Sequence, residues 1–362
     1  MRDLVSELAS DGPPLLGTVV AIQANYSFVR LDGNRGDLLC TCRSRLKKIG
    51  QRVMVGDRVM VDQPDWEGKR GAINQLLPRT SELDRPPVAN ADQILLVTAL
   101  AQPALDMTQL SRFLVKAEST GLAVCLALSK CDLLPIEEQQ AWGDRIQAWG
   151  YKPVLLSVYQ GKGLDTLADR LRNSVTVISG PSGVGKSSLI NALIPEATLR
   201  VSAVSGKLER GRHTTRHVEL FDLPGGGTLA DTPGFNQPDL TCSPEQLAHY
   251  FPEIRSRLAA NHCQFHNCLH RDEPGCAVRG DWERYGLYLN FLEEAIAQQV
   301  DRNQQSDPDA ALKQKSKRKG EVQFEPRLAA KYRQESRRTQ KQSMQVVKGR
   351  LDDLLIAEED EF

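Results

Sequence analysis

The sequence predicts a multidomain fold: an all-β barrel first, an open α/β sheet second and a small cysteine-rich helical segment third. Three observations predict it. Between Leu15 and about Pro78, five short alternating segments are separated by turn signals and show no helical spacing. From Asp92 onward, continuous apolar runs alternate with helically spaced stretches. Between residues 263 and 276, three cysteines and two histidines fall within fourteen positions.

The first part reads Leu16–Ile22, Tyr26–Leu31, Leu38–Cys42, Arg58–Val61 and Gly71–Leu76, with Asp32-Gly33-Asn34 as a strong turn. Five strands in about 65 residues suggest a small barrel of the OB type. Tyr26, Phe28 and Arg30 share one strand face, and Arg43, Arg45, Lys47 and Lys48 follow in a basic loop. Rings and cations in that pattern suit a nucleic-acid surface. Either face of the strand can be the buried one, however, so core packing of Tyr26 and Phe28 stands as the equal alternative.

A polar linker, residues 79–87, leads into the α/β part. Asp92–Ala99 is a continuous apolar run of the kind buried on both faces of a parallel sheet. Residues 106–120 have helical spacing, and Ala123–Leu128 is the next strand. A helix over 137–149, a strand over 152–157 and a helix over 163–173 follow.

Ser174–Ser179 then reads as a buried strand running into Gly180-Pro181-Ser182-Gly183-Val184-Gly185-Lys186-Ser187, a complete phosphate loop continued by Ser188. Glycines let successive N–H groups turn inward to phosphate oxygens. Lys186 is expected to reach the β- and γ-phosphates and Ser187 to ligate Mg²⁺, with the following helix adding its dipole. The sequence thus predicts a nucleoside triphosphate site.

Ser129-Lys130-Cys131-Asp132 sits at the C-terminal end of a buried strand, where open α/β sheets bind ligands. A carboxylate there accepts from guanine N1–H and the 2-amino group. Adenine lacks that pair of donors, so Asp132 disfavours an ATP-driven RNA remodeller. Lys130 is expected to lay its stem across base and phosphate loop. Ser129 stands where Asn or Thr is usual and is expected to make weaker contacts. Downstream, Asp231-Thr232-Pro233-Gly234 supplies a Mg²⁺-shell carboxylate and a glycine N–H for the γ-phosphate, and Thr214 or Thr215 is expected to complete the Mg²⁺ shell. In an ordinary GTPase the guanine motif comes last. Here Ser129–Asp132 and the Ser157 loop precede the phosphate loop, so the GTPase fold is circularly permuted.

Cys263, Cys268 and Cys276 with one histidine fit a closed tetrahedral Cys₃His zinc site, hence a structural one. The spacing C-x₄-C-x-H-x₅-C, with His270, is one arrangement that fits, and His262 and His266 are spare candidates. Eight cysteines in 362 residues are too sparse for a disulfide scaffold. The net charge of zero conceals blocks: residues 311–350 hold thirteen Lys/Arg against three Glu, and 351–362 hold six acids and no base. The basic block suits an anionic polymer but equally reads as a solvated tail, ordered or not. The N-terminus lacks the apolar core of a signal peptide and no apolar run is long enough to span a membrane, so the expectation is a cytoplasmic, membrane-free protein.

The permuted motif order, the preceding β-rich region and the cysteine cluster together resemble the RsgA (YjeQ/EngC) family of small-ribosomal-subunit-dependent GTPases over about residues 15–300. Residues 77–86, 180–188 and 211–215 carry its markers. The resemblance implies an OB-fold domain with linker (1–85), a circularly permuted GTPase domain (86–240), a zinc-binding domain (241–300) and a basic-then-acidic tail (301–362). It selects His270 as the fourth zinc ligand. Phe235 occupies the place of the usual water-orienting Gln, and the resemblance gives that catalytic role to His213, beside Thr214, Thr215 and Lys186. It implies a monomeric hydrolase that binds the small (30S) ribosomal subunit and its rRNA late in maturation, with GTP state coupled to release. The alternative is an RNA-binding assembly factor that uses GTP as a switch with negligible turnover.

Overall fold

β1 (Leu15–Gln23) opens a closed five-strand barrel with β2 (Tyr26–Leu31), β3 (Asp37–Cys42), β4 (Arg58–Asp65) and β5 (Arg70–Leu76). The neighbour order is 1-2-3-5-4 and back to 1; only the β3–β5 pairing is parallel. The computed structural model describes residues 15–33, 35–48, 50–84, 86–195, 218–231, 240–304, 312–316 and 322–326. Inward-facing Val19, Val29, Leu31, Cys40, Val59 and Ile73 fill the barrel, all at 0–2% exposure. A short helix, α1 (Ser44–Lys48), follows β3.

Strand β2 resolves the choice left open by its alternation. Ser27, Val29 and Leu31 face the core, and Tyr26, Phe28 and Arg30 face outward. Of these three only Tyr26 is free surface. Phe28 packs against a second apolar cluster, and Arg30 pairs with Asp37 and Asp222. Tyr26 is thus outside any core, Phe28 packs on the cluster between barrel and sheet rather than inside the barrel, and Arg30 is committed to ion pairs.

A register shift in β1 between Val19 and Ala21 explains how barrel and sheet join. The bulge breaks strict alternation, so Val19 enters the barrel core while Val20 packs outside with Val55, Val88, Val177 and Ala230. Beyond the bulge, Ala21 pairs with Glu219 of β12 (Glu219–Asp222). The linker expected over 79–87 is partly a hairpin, β6 (Glu82–Asp84) with β7 (Pro87–Ala89). Gly56, at φ +90°, passes so close to this hairpin that a Cβ would lie 2.0 Å from the Ala89 carbonyl oxygen. Arg79 anchors the linker: it donates to Asp57 at 2.7 and 2.9 Å and to the Arg52 carbonyl at 2.6 Å.

The α/β sheet runs β10 (Val154–Leu155), β9 (Ala123–Ser129), β8 (Gln93–Ala99), β11 (Val175–Ser179) and β13 (Thr228–Asp231), all parallel, with β12 antiparallel to β13. β8 is buried almost throughout, as its unbroken apolar run predicts. On one face lie α4 (Leu164–Leu171) and α5 (Lys186–Leu193), through Leu167, Leu171, Leu189 and Ile190. On the other lie α2 (Met107–Glu118), capped by Asp106 at Gln109 N–H, and α3 (Ile136–Ala148). The strand expected over 152–157 shrinks to two residues at the sheet edge.

Next come α6 (Pro244–Leu247), α7 (Pro252–Ala260) and α8 (Tyr285–Gln304). Arg284 is fully buried, bonded to Glu253 at 2.7 and 2.5 Å, with its guanidinium 4.6 Å from the Trp149 ring centroid. Trp149 in turn donates to Glu283 at 2.7 Å, so the end of α3 is fixed to this helical region. The chain divides into two compact units, 1–296 and 297–362. In the second, β14 (Leu312–Ser316) pairs antiparallel with β15 (Val322–Pro326), Lys313 opposite Glu325. Part of the basic tract read as tail is thus a hairpin strand. Among the described residues no helix is long and apolar enough to cross a membrane.

Asp57 is 0% exposed and depends on Arg79 for compensation. Arg79→Ala is expected to cost about 3 kcal/mol or more by leaving that charge buried and unpaired, read as a lowered urea midpoint; a midpoint unchanged from wild type would contradict the pairing.

Candidate nucleotide site and metal centre

The phosphate loop is shaped by close approach and by positive φ. Gly180 sits where a Cβ would be 2.0 Å from the Val97 carbonyl oxygen, which presses the start of the loop onto β8. Gly183 and Gly185 have φ +80° and +97°, a region that favours glycine. Over the loop, the Lys186 ammonium donates to the Gly180 and Pro181 carbonyls at 2.7 and 2.6 Å. Burial lowers its pKa from the ordinary lysine value, and the charge of Asp231 works against that shift. Val184 and Pro181 are buried, whereas Ser182, Ser187 and Ser188 are exposed. Ser187 lies in the first turn of α5 and Asp231 at the end of β13; these are the two described residues that would hold Mg²⁺.

Parallel pairing brings the second motif alongside. Ser129 ends β9 opposite Ala99, and its buried hydroxyl lies 2.6 Å from the Val184 carbonyl and 3.2 Å from that of Thr98. The sequence led us to expect a weak contact, because serine is shorter than asparagine. The structure instead gives a short hydrogen bond, because the phosphate loop packs directly against the strand end. Lys130, at φ +56°, carries its ammonium across to the carbonyls of Gly183 (2.8 Å) and Gln102. Cys131 is buried and its N–H donates to the Leu156 carbonyl at 3.0 Å, tying the two loops together.

These loops border an open cavity of about 560 Å³ whose lining includes Lys130, Asp132, Val184 and Ser188 together with Leu133, Leu156, Val158 and Tyr159. Its size and mainly apolar walls, with one carboxylate, suit a purine. The Ser157 hydroxyl does not line it. It is fully buried and accepts the Gln160 N–H at 3.1 Å, so it organises the loop that presents Val158 and Tyr159. Those two, with Leu133, were missed by motif reading; the only signal was their place in the loops after β9 and β10. His213, Thr214, Thr215 and Gly234 lie outside the described residues.

The metal centre forms as its spacing predicts. Cys263 Sγ, Cys268 Sγ and Cys276 Sγ lie 3.5, 3.4 and 3.5 Å from His270 Nδ1, and Cys263 Sγ is 4.0 Å from Cys276 Sγ. A tetrahedral zinc ion with ordinary bond lengths spans about 3.5 Å between nitrogen and sulfur and about 3.8 Å between sulfurs. The fit is close. His262 and His266 stand outside this group and line an adjacent cleft. Backbone N–H groups of Ala277, His270 and Val278 point at the three sulfurs, each at 3.4 Å. Burial and the neighbouring thiols push the Cys268 thiol up to about 12, the electrostatics of a cluster that needs a cation to ionise. The Tyr288 hydroxyl donates to the Leu269 carbonyl at 2.7 Å and fixes the knuckle to α8.

Comparison with known proteins agrees with this geometry. A sequence model of the RsgA GTPase family matches residues 76–241, and one described as 50S ribosome-binding GTPase matches residues 175–308. A protein of Trichormus variabilis named small ribosomal subunit biogenesis GTPase RsgA is 61% identical over 355 residues, covering 91% of this chain and 96% of its own. The chain belongs to the RsgA family. A Synechocystis protein of the same name is 53% identical, over 91% of this chain and 94% of its own. Among solved structures, RsgA-type folds match along most of the chain: YjeQ from Thermotoga maritima (TM-score 0.67, 30% identity, 78% of this chain and 99% of that one) and YloQ, titled a circularly permuted GTPase (0.65, 31%, 79% and 96%). The fold is therefore a barrel, a circularly permuted GTPase and a Cys₃His module. This RsgA-family chain is a GTPase of the kind that uses GTP, GDP and Mg²⁺, and its cluster is compatible with one structural zinc.

Ser129→Ala is expected to weaken GDP binding several-fold, the loss of about 1 kcal/mol, with the preference for guanine retained. Asp132→Asn is expected to shift preference toward xanthosine nucleotides; both are read by competition binding. Metal analysis is expected to give one zinc per chain, and Cys268→Ser to lower it together with the thermal midpoint.

Proposed function

We propose that this GTPase works on the small (30S) ribosomal subunit late in its maturation, bound in its GTP form and released once contacts to the γ-phosphate are lost. Support comes first from relatives named for small-subunit biogenesis that align along 91% of the chain. The 50S-related match covers only residues 175–308 and leaves the barrel untouched.

The observation that carries the reading is the β1–β12 junction. Ala21 pairs with Glu219, two residues beyond the stretch that holds His213, Thr214 and Thr215, and β12 pairs with the strand that ends in Asp231. A barrel seated on rRNA is thereby mechanically continuous with the strands that flank the switch sequences. Exposed Tyr26, Arg43 and Arg45 supply ring and cations on the barrel, and the basic stretch after residue 311 adds further phosphate-pairing charge. The reading divides the chain at about residues 85, 240 and 300, and makes it a cytoplasmic monomer when not on the subunit.

In the chemistry we assign, Lys186 stabilises charge on the transferred phosphoryl group, Ser187, Asp231 and Thr214 or Thr215 hold Mg²⁺, and Gly234 N–H meets the γ-phosphate. His213 positions the attacking water. A water-positioning group on a switch segment predicts slow turnover until the subunit orders it.

GTP turnover by the purified chain is expected to rise strongly when small subunits are added. His213→Ala is expected to lower that stimulated rate by about a hundred-fold or more with GTP affinity nearly unchanged. Tight binding without any stimulation would favour a switch that does not turn over.

A further inference from the structure

Three of the eight exposed large apolar side chains among the described residues fall beside one motif: Leu133 at 44%, Ile136 at 53% and Tyr159 at 92% exposure. Leu133 closes the short turn that begins at Cys131, and Ile136 opens α3. Leu133 and Tyr159 line the same cavity. The loop of Tyr159 is fastened to the first turn of α3, where Lys162 Nζ donates to the buried Gln139 amide oxygen at 2.7 Å. Gln139 in turn donates to the Leu134 carbonyl at 2.9 Å. Within the loop, Ser157 N–H donates to the Lys162 carbonyl at 3.0 Å and Gln160 N–H to the Ser157 hydroxyl. The protein therefore orders this patch by itself, and a partner would have little backbone left to fix. Apolar side chains gathered on an ordered surface with a polar rim mark a contact site.

The rim charge selects the partner. Glu137 and Glu138 follow Ile136 in the first turn of α3, and both are exposed. The two lysines nearest in sequence to the patch are engaged elsewhere: Lys130 donates to the Gly183 carbonyl at 2.8 Å, and Lys162 is held by Gln139. A phosphate backbone laid on this face would meet like charge, which costs affinity, whereas lysine and arginine side chains would be attracted. We propose that the patch docks a lysine- or arginine-rich segment of a protein of the small subunit. Apolar side chains of that segment cover Leu133, Ile136 and Tyr159, and its cations meet Glu137 and Glu138. This rests on the assignment to the small subunit made above and divides the contacts by chemistry. The cations of the barrel, Arg43 and Arg45, take phosphate, and the face beside the nucleotide cavity takes protein.

The test is sedimentation of the full-length chain with purified small subunits, for wild type, Ile136→Ser and the double variant Glu137→Gln, Glu138→Gln. Thermal midpoints and GDP affinity are measured in parallel. Ile136, Glu137 and Glu138 do not line the nucleotide cavity, so both quantities are expected to stay close to wild type. Subunit binding is expected to weaken about five- to ten-fold in each variant. The direction in the double variant is diagnostic, because removing two negative charges from a surface that faces RNA would strengthen binding. Strengthening there, or no change in either variant, would overturn the docking of a basic segment and leave the assignment to the subunit standing. A second measurement irradiates the subunit complex of a chain carrying p-benzoylphenylalanine in place of Tyr159. An adduct with a basic protein segment, identified by mass spectrometry, is the expected result; an adduct with rRNA alone, or none, would overturn it. A wild-type chain that fails to sediment with subunits in either nucleotide form would remove the assignment to the subunit, and the docking site with it.

Discussion

The contact on which the site depends is the one between the phosphate loop and the ends of two strands. Gly180 lies against the backbone of β8, and the Ser129 hydroxyl at the end of β9 reaches Val184 at 2.6 Å. These two contacts set the distance between the loop after β9 and the phosphate loop. In sequence the two are separated by about fifty residues, and a permuted chain has no covalent shortcut between them. Parallel register does the work: Val97 pairs with Ala127, and Ser179 with Leu96, so motif-bearing ends finish at one edge of the sheet. Apolar packing on both faces holds that register, since a shift of one residue would turn Leu95 and Leu96 toward the wrong helices.

The barrel and the metal module are held by different physics. Barrel strands close on a small aliphatic core, and a single buried ion pair, Asp57 with Arg79, clamps the exit chain against it. The module near residue 270 has its own aromatic cluster of Phe251, Trp282, Tyr288 and Phe291, but the knuckle itself contains almost no aliphatic side chains. Its order comes from four ligands, from N–H groups aimed at sulfur and from Glu273, which caps the Leu269 and Arg271 amides at 2.8 Å. Burial by itself would raise the Glu273 carboxyl, yet those amide bonds prevail and hold it at about 2. The knuckle is therefore electrostatic where the barrel is hydrophobic.

Legibility in the sequence followed the locality of the cause. The phosphate loop, the Cys₃His group and the uninterrupted run of β8 depend on spacing within a few residues, and each is found where it was expected. Ser129 was legible as a departure from the usual residue but its consequence was not, because the reach needed depends on how closely Val184 packs. The loop of Tyr159 was singled out at Ser157, but not for the residues that line the cavity; the place of Val158 and Tyr159 there is a product of the β9–β10 pairing. The β6–β7 hairpin and β12 are short strands whose partners supply most of their stability, so neither period nor composition announces them. Residues 152–157 have strand composition, yet only Val154 and Leu155 find a partner, since the sheet ends there.

The seam at Ala21 and Glu219 also bears on solubility. An open α/β sheet ends in two strands whose outer N–H and C=O groups are available to any passing chain. Here the antiparallel strand β12 would be one such border, and it is covered by β1, which itself belongs to a barrel that closes through β4 and has no border of its own. At the far side the sheet finishes in β10, only two residues long. Within this joined sheet, β12 therefore meets a partner at Glu219 and the opposite border is as short as a strand can be, which leaves little of it open to strand addition.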